Sequence, residues 1–183
     1  MLFVAGRIGF WPLAYVCVRG ACGAPDESIL HLTQCLEMRK VWEPIRRHSK
    51  SLHPQVPTGA TPEFVLFGLD SNNKTSPPIV LSLIRLAWKC VWMHLYEVEQ
   101  GITLFYPNQV LAHAARRLRT KLAAFEHGAV RQLACSRGRG DEMARIGRAH
   151  NAKIAPFAYL DTEGALSISP PSAAFLASHG VKP

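Results

Sequence analysis

The run "PPIVLSLIRLAWKCVWMHLYEVEQ", residues 77–100, limits the fold more than any other stretch. Its apolar residues Ile79, Val80, Leu83, Leu86, Ala87, Cys90, Val91, Leu95 and Val98 recur at helical spacing and form a broad stripe. A helix with so wide an apolar face needs partners on several sides, which predicts a central position in a bundle. Pro77 or Pro78 can open it, because proline is tolerated in a first turn, and Gly101 marks its end. Trp88 and Trp92, four apart, extend the same stripe. The run is long enough to span a bilayer, yet Arg85, Lys89, His94 and Glu97 are each costly at membrane depth. A buried helix of a soluble protein, with no membrane partner, is the expectation.

The flanking segments supply the partners. Asp26 or Ser28 can cap a helix carrying Ile29, Leu32, Leu36, Val41, Trp42 and Ile45, with Pro44 as a kink or early stop. Residues 50–62, "KSLHPQVPTGATP", read as a linker, followed by the short apolar piece "EFVLFGL" and the solvent loop "DSNNKTSPP". A third helix from about Asn108 to Glu126 places Val110, Leu111, Ala114, Leu118 and Leu122 on one face and Arg116, Arg119 and Lys121 on the rest. From Ser136, "SRGRGDEMARIGRAH" has too few apolar residues to offset ordering entropy, and residues 137–152 are expected to be a flexible basic linker. Two apolar runs flanking "DTEG" predict a C-terminal β-hairpin within residues 153–183, and the last residues read as a tail.

Charge narrows the partners. The 183 residues carry a formal net charge of +8, and residues 116–153 hold ten Lys or Arg against Glu126, Asp141 and Glu142. Polyanions are the natural partners of such a chain. The five cysteines are odd in number, and Cys17, Cys22 and Cys35 are clustered. That usage suits a metal site in a reducing, intracellular compartment better than a disulfide framework. The alternative is secretion with residues 1–24 as a signal peptide, against which stand the lack of a basic segment before the apolar run and the presence of Arg7 and Pro12.

Cys17, Cys22, His31 and Cys35 follow the pattern C-x4-C-x8-H-x3-C. Zinc takes soft thiolate and imidazole ligands in a tetrahedron, commonly one pair from a tight loop and one from a helix. His31 and Cys35 are one helical turn apart, and Gly23 after Cys22 gives the backbone freedom to curl around an ion. The plainer reading makes Cys22 and Cys35 small buried hydrophobes and His31 an ordinary satisfied histidine. The residues by themselves leave both open.

The string "CGAPDESILHLTQCLEMRKVWEPI", then "FVLFGL", then "LIRLAWKCVWMHLYEVEQG" resembles the zinc-binding region after the reverse transcriptase domain of LINE-type retrotransposon polyproteins. Cys22, Glu27, His31, Cys35 and Trp42 match the family pattern, over a resemblance covering roughly residues 17–125. The family's spacing would put the first cysteine at position 19, where Arg19 stands; Cys17 lies two residues earlier. The resemblance implies a structural zinc held by Cys17, Cys22, His31 and Cys35, with no open coordination position for catalysis.

The expected fold is therefore mainly α. Residues 1–16 form an apolar N-terminal segment, 17–48 a zinc-knuckle-like loop plus helix, and 62–136 a small helical bundle; the basic linker and hairpin follow. Arg116, Arg117, Arg119 and Lys121, with Arg137 and Arg139 from the linker, can contact the phosphates of RNA or DNA in a sequence-tolerant way, or simply solvate a helix. Trp42, Trp88, Trp92 and Phe105 can stack on bases, although tryptophans at helical spacing beside leucines belong more often to a core. Enzyme signatures are missing from the sequence: there is no H-E-x-x-H, no G-x-S-x-G, no G-x-x-x-x-G-K and no adjacent aspartate pair of the polymerase kind. Cys90 with His94 could form a nucleophile pair, or be one turn of ordinary packing. Two functions follow: a non-catalytic, nucleic-acid-binding zinc module descended from such a polyprotein, or a metal-free helical interaction domain or decayed element fragment without a selected activity.

Overall fold

The structure, a computed structural model, describes residues 28–135, 140–161 and 165–183. Seven helices and one two-stranded sheet make up the described residues. Helix α1 (Ile29–Gln34) begins at Ser28, whose side chain accepts a hydrogen bond from the His31 N–H at 3.0 Å. It stops at Cys35, whose backbone leaves the helical region (φ −55°, ψ 135°), and α2 (Leu36–Leu52) starts at once. The indole of Trp42 on α2 donates to the Leu32 carbonyl at 2.9 Å and folds α1 back onto α2.

Pro44 neither stops nor shortens α2, contrary to the expectation of an early end. A proline inside a helix costs about 3 kcal/mol, but Met38, Val41 and Trp42 before it and Ile45 and Ser49 after it are all buried. Core contacts on both sides hold the helix through the missing bond. The predicted linker is shorter than residues 50–62, since α2 runs to Leu52, and it is packed: Val56 is fully buried and Arg46 donates to the Pro57 carbonyl at 3.1 Å.

The "EFVLFGL" piece is a short helix, α3 (Pro62–Phe67), capped by the Thr61 hydroxyl and ended by Gly68 at φ 68°. Here glycine is required twice over, because a Cβ would also come within 2.1 Å of the Leu81 side chain. The loop that follows is organised by buried Asp70, which accepts from the Asn72 and Lys74 N–H groups at 2.8 and 2.9 Å. Those bonds hold its carboxyl below the usual range.

Helix α4 (Pro78–Glu99) matches its predicted span closely and lies against α5 (Pro107–Cys135), the longest helix. Val80, Leu83, Ala87, Val91 and Leu95 of α4 meet Val110, Leu111, Ala114, Leu118 and Leu122 of α5 in a continuous core that also takes in α2. Although α4 is long and apolar enough to cross a membrane, 56% of its most apolar stretch is buried inside the fold. The turn into α5 is set by buried His94, whose Nε2 accepts from the Tyr106 N–H at 3.0 Å. That fixes the ring hydrogen on Nδ1, which faces the Glu97 carboxylate at 3.3 Å.

Past residue 139 the chain departs from the sequence expectation. Gly140–Ile154 form helix α6, where a flexible linker is predicted as far as residue 152. Asp141 and Glu142 in its first turn suit the positive end of the helix dipole. Ile146, His150 and Ile154, at four-residue spacing, run from half-buried to fully buried along the side that meets α5. The predicted hairpin is present: β1 (Ala158–Leu160) pairs antiparallel with β2 (Leu166–Ile168). It is held from outside itself, by Asn151 of α6, whose side chain bonds both the N–H (2.6 Å) and the C=O (3.1 Å) of Leu160. The Leu166 N–H adds a 3.1 Å bond to Glu126 of α5.

The expected tail is a helix as well. In α7 (Pro170–Ser178), Ser172, Phe175 and Leu176 are buried, mainly against α2 and α5. Two prolines in the first turn start it, as proline's fixed φ allows.

Candidate nucleic-acid interface

The cations expected on one basic helix back do not share one surface. At about 100° of turn per residue, Arg117 and Lys121 lie on one stripe of α5, and Arg119 lies roughly 200° around from Arg117. Arg119 is half-buried, with its Nη1 enclosed and unpartnered, while Lys121 is exposed. Arg117 leans onto α4, its Nη2 3.2 Å from the Met93 sulfur. Arg116 is exposed beside it, its Nε donating to the Ala112 carbonyl at 3.3 Å. Arg137 and Arg139 lie outside the described residues.

What α5 lacks, α4 provides. Arg85, Lys89, Trp92, Met93 and Tyr96 are all exposed and fall within roughly a 100° sector of that helix. Arg117 of α5 touches Met93 of α4 and Arg116 is its chain neighbour, so both stand at the seam beside the α4 face that bears Lys89. Burial pushes the Cys90 thiol up, the opposite of what a nucleophile needs. Both ring nitrogens of His94 are already engaged, so Cys90 and His94 are packed neighbours rather than an activated pair. His113, on the same seam, has its pKa lowered by burial and then by Arg116. Among the described residues, Arg85, Lys89, Arg116 and Arg117 have no carboxylate within 4 Å.

The tryptophans expected together in the core are arranged as a ladder. Trp42 is fully buried and its ring lies 4.7 Å from that of Trp88. Trp88 is half-buried and fixed by a 2.7 Å hydrogen bond from its indole to the Val65 carbonyl. Trp92 stacks on Trp88 at 6.0 Å and 27° and is 36% exposed. Phe105 is partly buried against the core. Trp92 is one of the rings named from the sequence as able to stack on bases, whereas Lys89 and Tyr96 beside it are not among the residues the sequence singled out. A usable signal was present, since Arg85 and Lys89 mark the outward side of α4 and Trp92 and Tyr96 follow at the same helical phase.

Of the four expected zinc ligands, Cys17 and Cys22 lie outside the described residues. His31 is half-exposed and Cys35 is 4% exposed. They are one turn apart, joined by a 2.8 Å bond from the Cys35 N–H to the His31 carbonyl. Cys35 also stands at the N-terminus of α2, where unpaired N–H groups favour negative charge. Among the described residues no three His, Cys, Asp or Glu side chains converge on a metal position.

Compared with known proteins, the chain matches no family model, no curated protein and no solved structure.

Proposed function

We propose that this chain is a non-catalytic, intracellular nucleic-acid-binding module, descended from the region downstream of a retrotransposon polymerase domain and ordered at its N-terminal end by zinc. The observation that carries the binding half is that Arg117, with Arg116 next to it, meets the α4 face bearing Lys89, and none of the three has a carboxylate within 4 Å among the described residues. Unneutralised cations release counterions on meeting phosphates, so affinity for RNA or DNA should fall steeply as salt rises. Anisotropy of a labelled oligonucleotide over a salt series tests this. A flat response, or no binding by the full chain at low salt, removes the reading.

For the metal half, support comes from the spacing of Cys17, Cys22, His31 and Cys35 and from the placement of the last two at the α1–α2 junction. Zinc measured in protein purified without chelator should be stoichiometric and should be lost in Cys35→Ser. Structural zinc supplies folding free energy on the order of 10 kcal/mol in small modules, so residues near α1 should lose protection from amide exchange together with the metal.

A second reading, a metal-free helical interaction domain, is favoured by the burial of Cys35 within the apolar cluster, where a thiol acts as a small hydrophobe. Under it, zinc is absent and Cys35→Val keeps the helices intact.

A further inference from the structure

We propose that the outward face of α4 is a stacking platform for unpaired bases, and that the ligand is single-stranded rather than duplex nucleic acid. This rests on the nucleic-acid reading and specifies its ligand. Trp92 stacks on Trp88, which the Val65 carbonyl holds in place, so its indole is supported and 36% exposed. Tyr96, 59% exposed, follows one turn on. The 1.5 Å rise per residue separates the two by roughly 6 Å along the helix. In a duplex the base faces are covered by their neighbours, so exposed rings gain nothing from it; an unpaired base offers a free π-face.

Phosphate contacts fall beside the rings. Lys89 lies one turn before Trp92, and Arg117 reaches Met93 from α5 with Arg116 alongside. Glu99, exposed at the C-terminal end of the same stripe, gives the face a polarity. The backbone is therefore held at the Lys89 side, and bases extend over Trp92 toward Tyr96. The cores of protein interfaces are depleted in charged residues, whereas here cations and rings alternate.

The test uses the full chain and two fluorescent probes at physiological salt, an oligothymidine strand and the same strand annealed to oligoadenosine. The single strand should bind roughly tenfold tighter than the duplex, and Trp92→Ala should weaken single-strand binding roughly tenfold while leaving duplex binding unchanged. Trp92→Phe should restore most of the loss, and Tyr96→Ala should give a smaller loss in the same direction. Circular dichroism confirms that each variant is folded, and Tyr96→Ala carries the test if Trp92→Ala is not. Equal affinity for both probes, or single-strand binding untouched by loss of the rings, overturns the platform. If Arg116→Ala with Arg117→Ala still weakens both probes, nucleic-acid binding survives without it. If neither probe binds, both proposals fall, and a protein partner becomes the occupant to seek.

Discussion

Two aromatic clusters occupy opposite situations in this molecule. The tryptophan ladder Trp42–Trp88–Trp92 starts in the core and ends at the surface among cations. The other is closed: on the α2–α7 seam, His48 is stacked on Phe175 at 4.4 Å and 7°, meets the edge of Phe157 at 4.9 Å, and Phe175 in turn meets His179. His48 is 6% exposed and its Nε2 is enclosed without a hydrogen-bond partner. The ladder is rigid at its base and available at its tip. The closed cluster contains a titratable ring whose charged form burial disfavours. Similar side chains thus give a surface in one region and a pH-sensitive joint in the other.

The largest effect should come from the base of the ladder. Trp42→Ala removes the largest fully buried side chain and the bond to Leu32, and should cost about 3–5 kcal/mol in denaturant unfolding. A loss under about 1 kcal/mol would mean that the ladder is not anchored there.

Acid should act next, on the closed cluster. Burial, and then the nearby charge of His179, lower the His48 pKa from 6.5 to about 4. The unfolded chain therefore binds a proton between these values that the folded chain refuses. Stability is full above pH 6.5 and falls as pH drops towards 4, by about 3 kcal/mol from this ring. His179, also lowered by burial, acts in the same direction. His48→Phe should flatten most of that slope in urea unfolding measured across the window; an unchanged slope would assign acid sensitivity elsewhere. Asp70 contributes at lower pH, since its carboxyl lies below the ordinary value and its hydrogen bonds are lost only on protonation.

At the exposed tip, Trp92→Ala should change stability by no more than about 0.5 kcal/mol, as surface substitutions do. A much larger loss would make Trp92 part of the core and erase the contrast between the ends of the ladder.

These clusters also mark how far the sequence could be read. Helix α4 was legible because nine apolar positions repeat at one period, and the hairpin because two apolar runs flank a turn-like tetrapeptide. Helix α6 was not, because an argument from composition counts apolar residues, and this helix is held by a few well-placed ones: buried Ile154, half-buried Ile146 and the Asn151 amide. The last residues read as a tail for want of a clear period, yet Pro170 and Pro171 start helix α7 there. Within the candidate interface, Arg116 and Arg117 came from the sequence, and Arg117 lies against Met93 of α4. Their companions on α4 were hidden by the width of its apolar stripe, which left room to place Trp92 inside.

The Asn151 side chain does more than fasten the hairpin. Its carboxamide offers Leu160 one acceptor and one donor, the same pair that a single residue of an adjoining antiparallel strand would present. A sheet of only two strands has bare margins along which foreign chains can add. At Leu160 of β1 that margin is already taken by a surrogate of a single residue, which leaves an incoming strand no free N–H or C=O to pair with at that position.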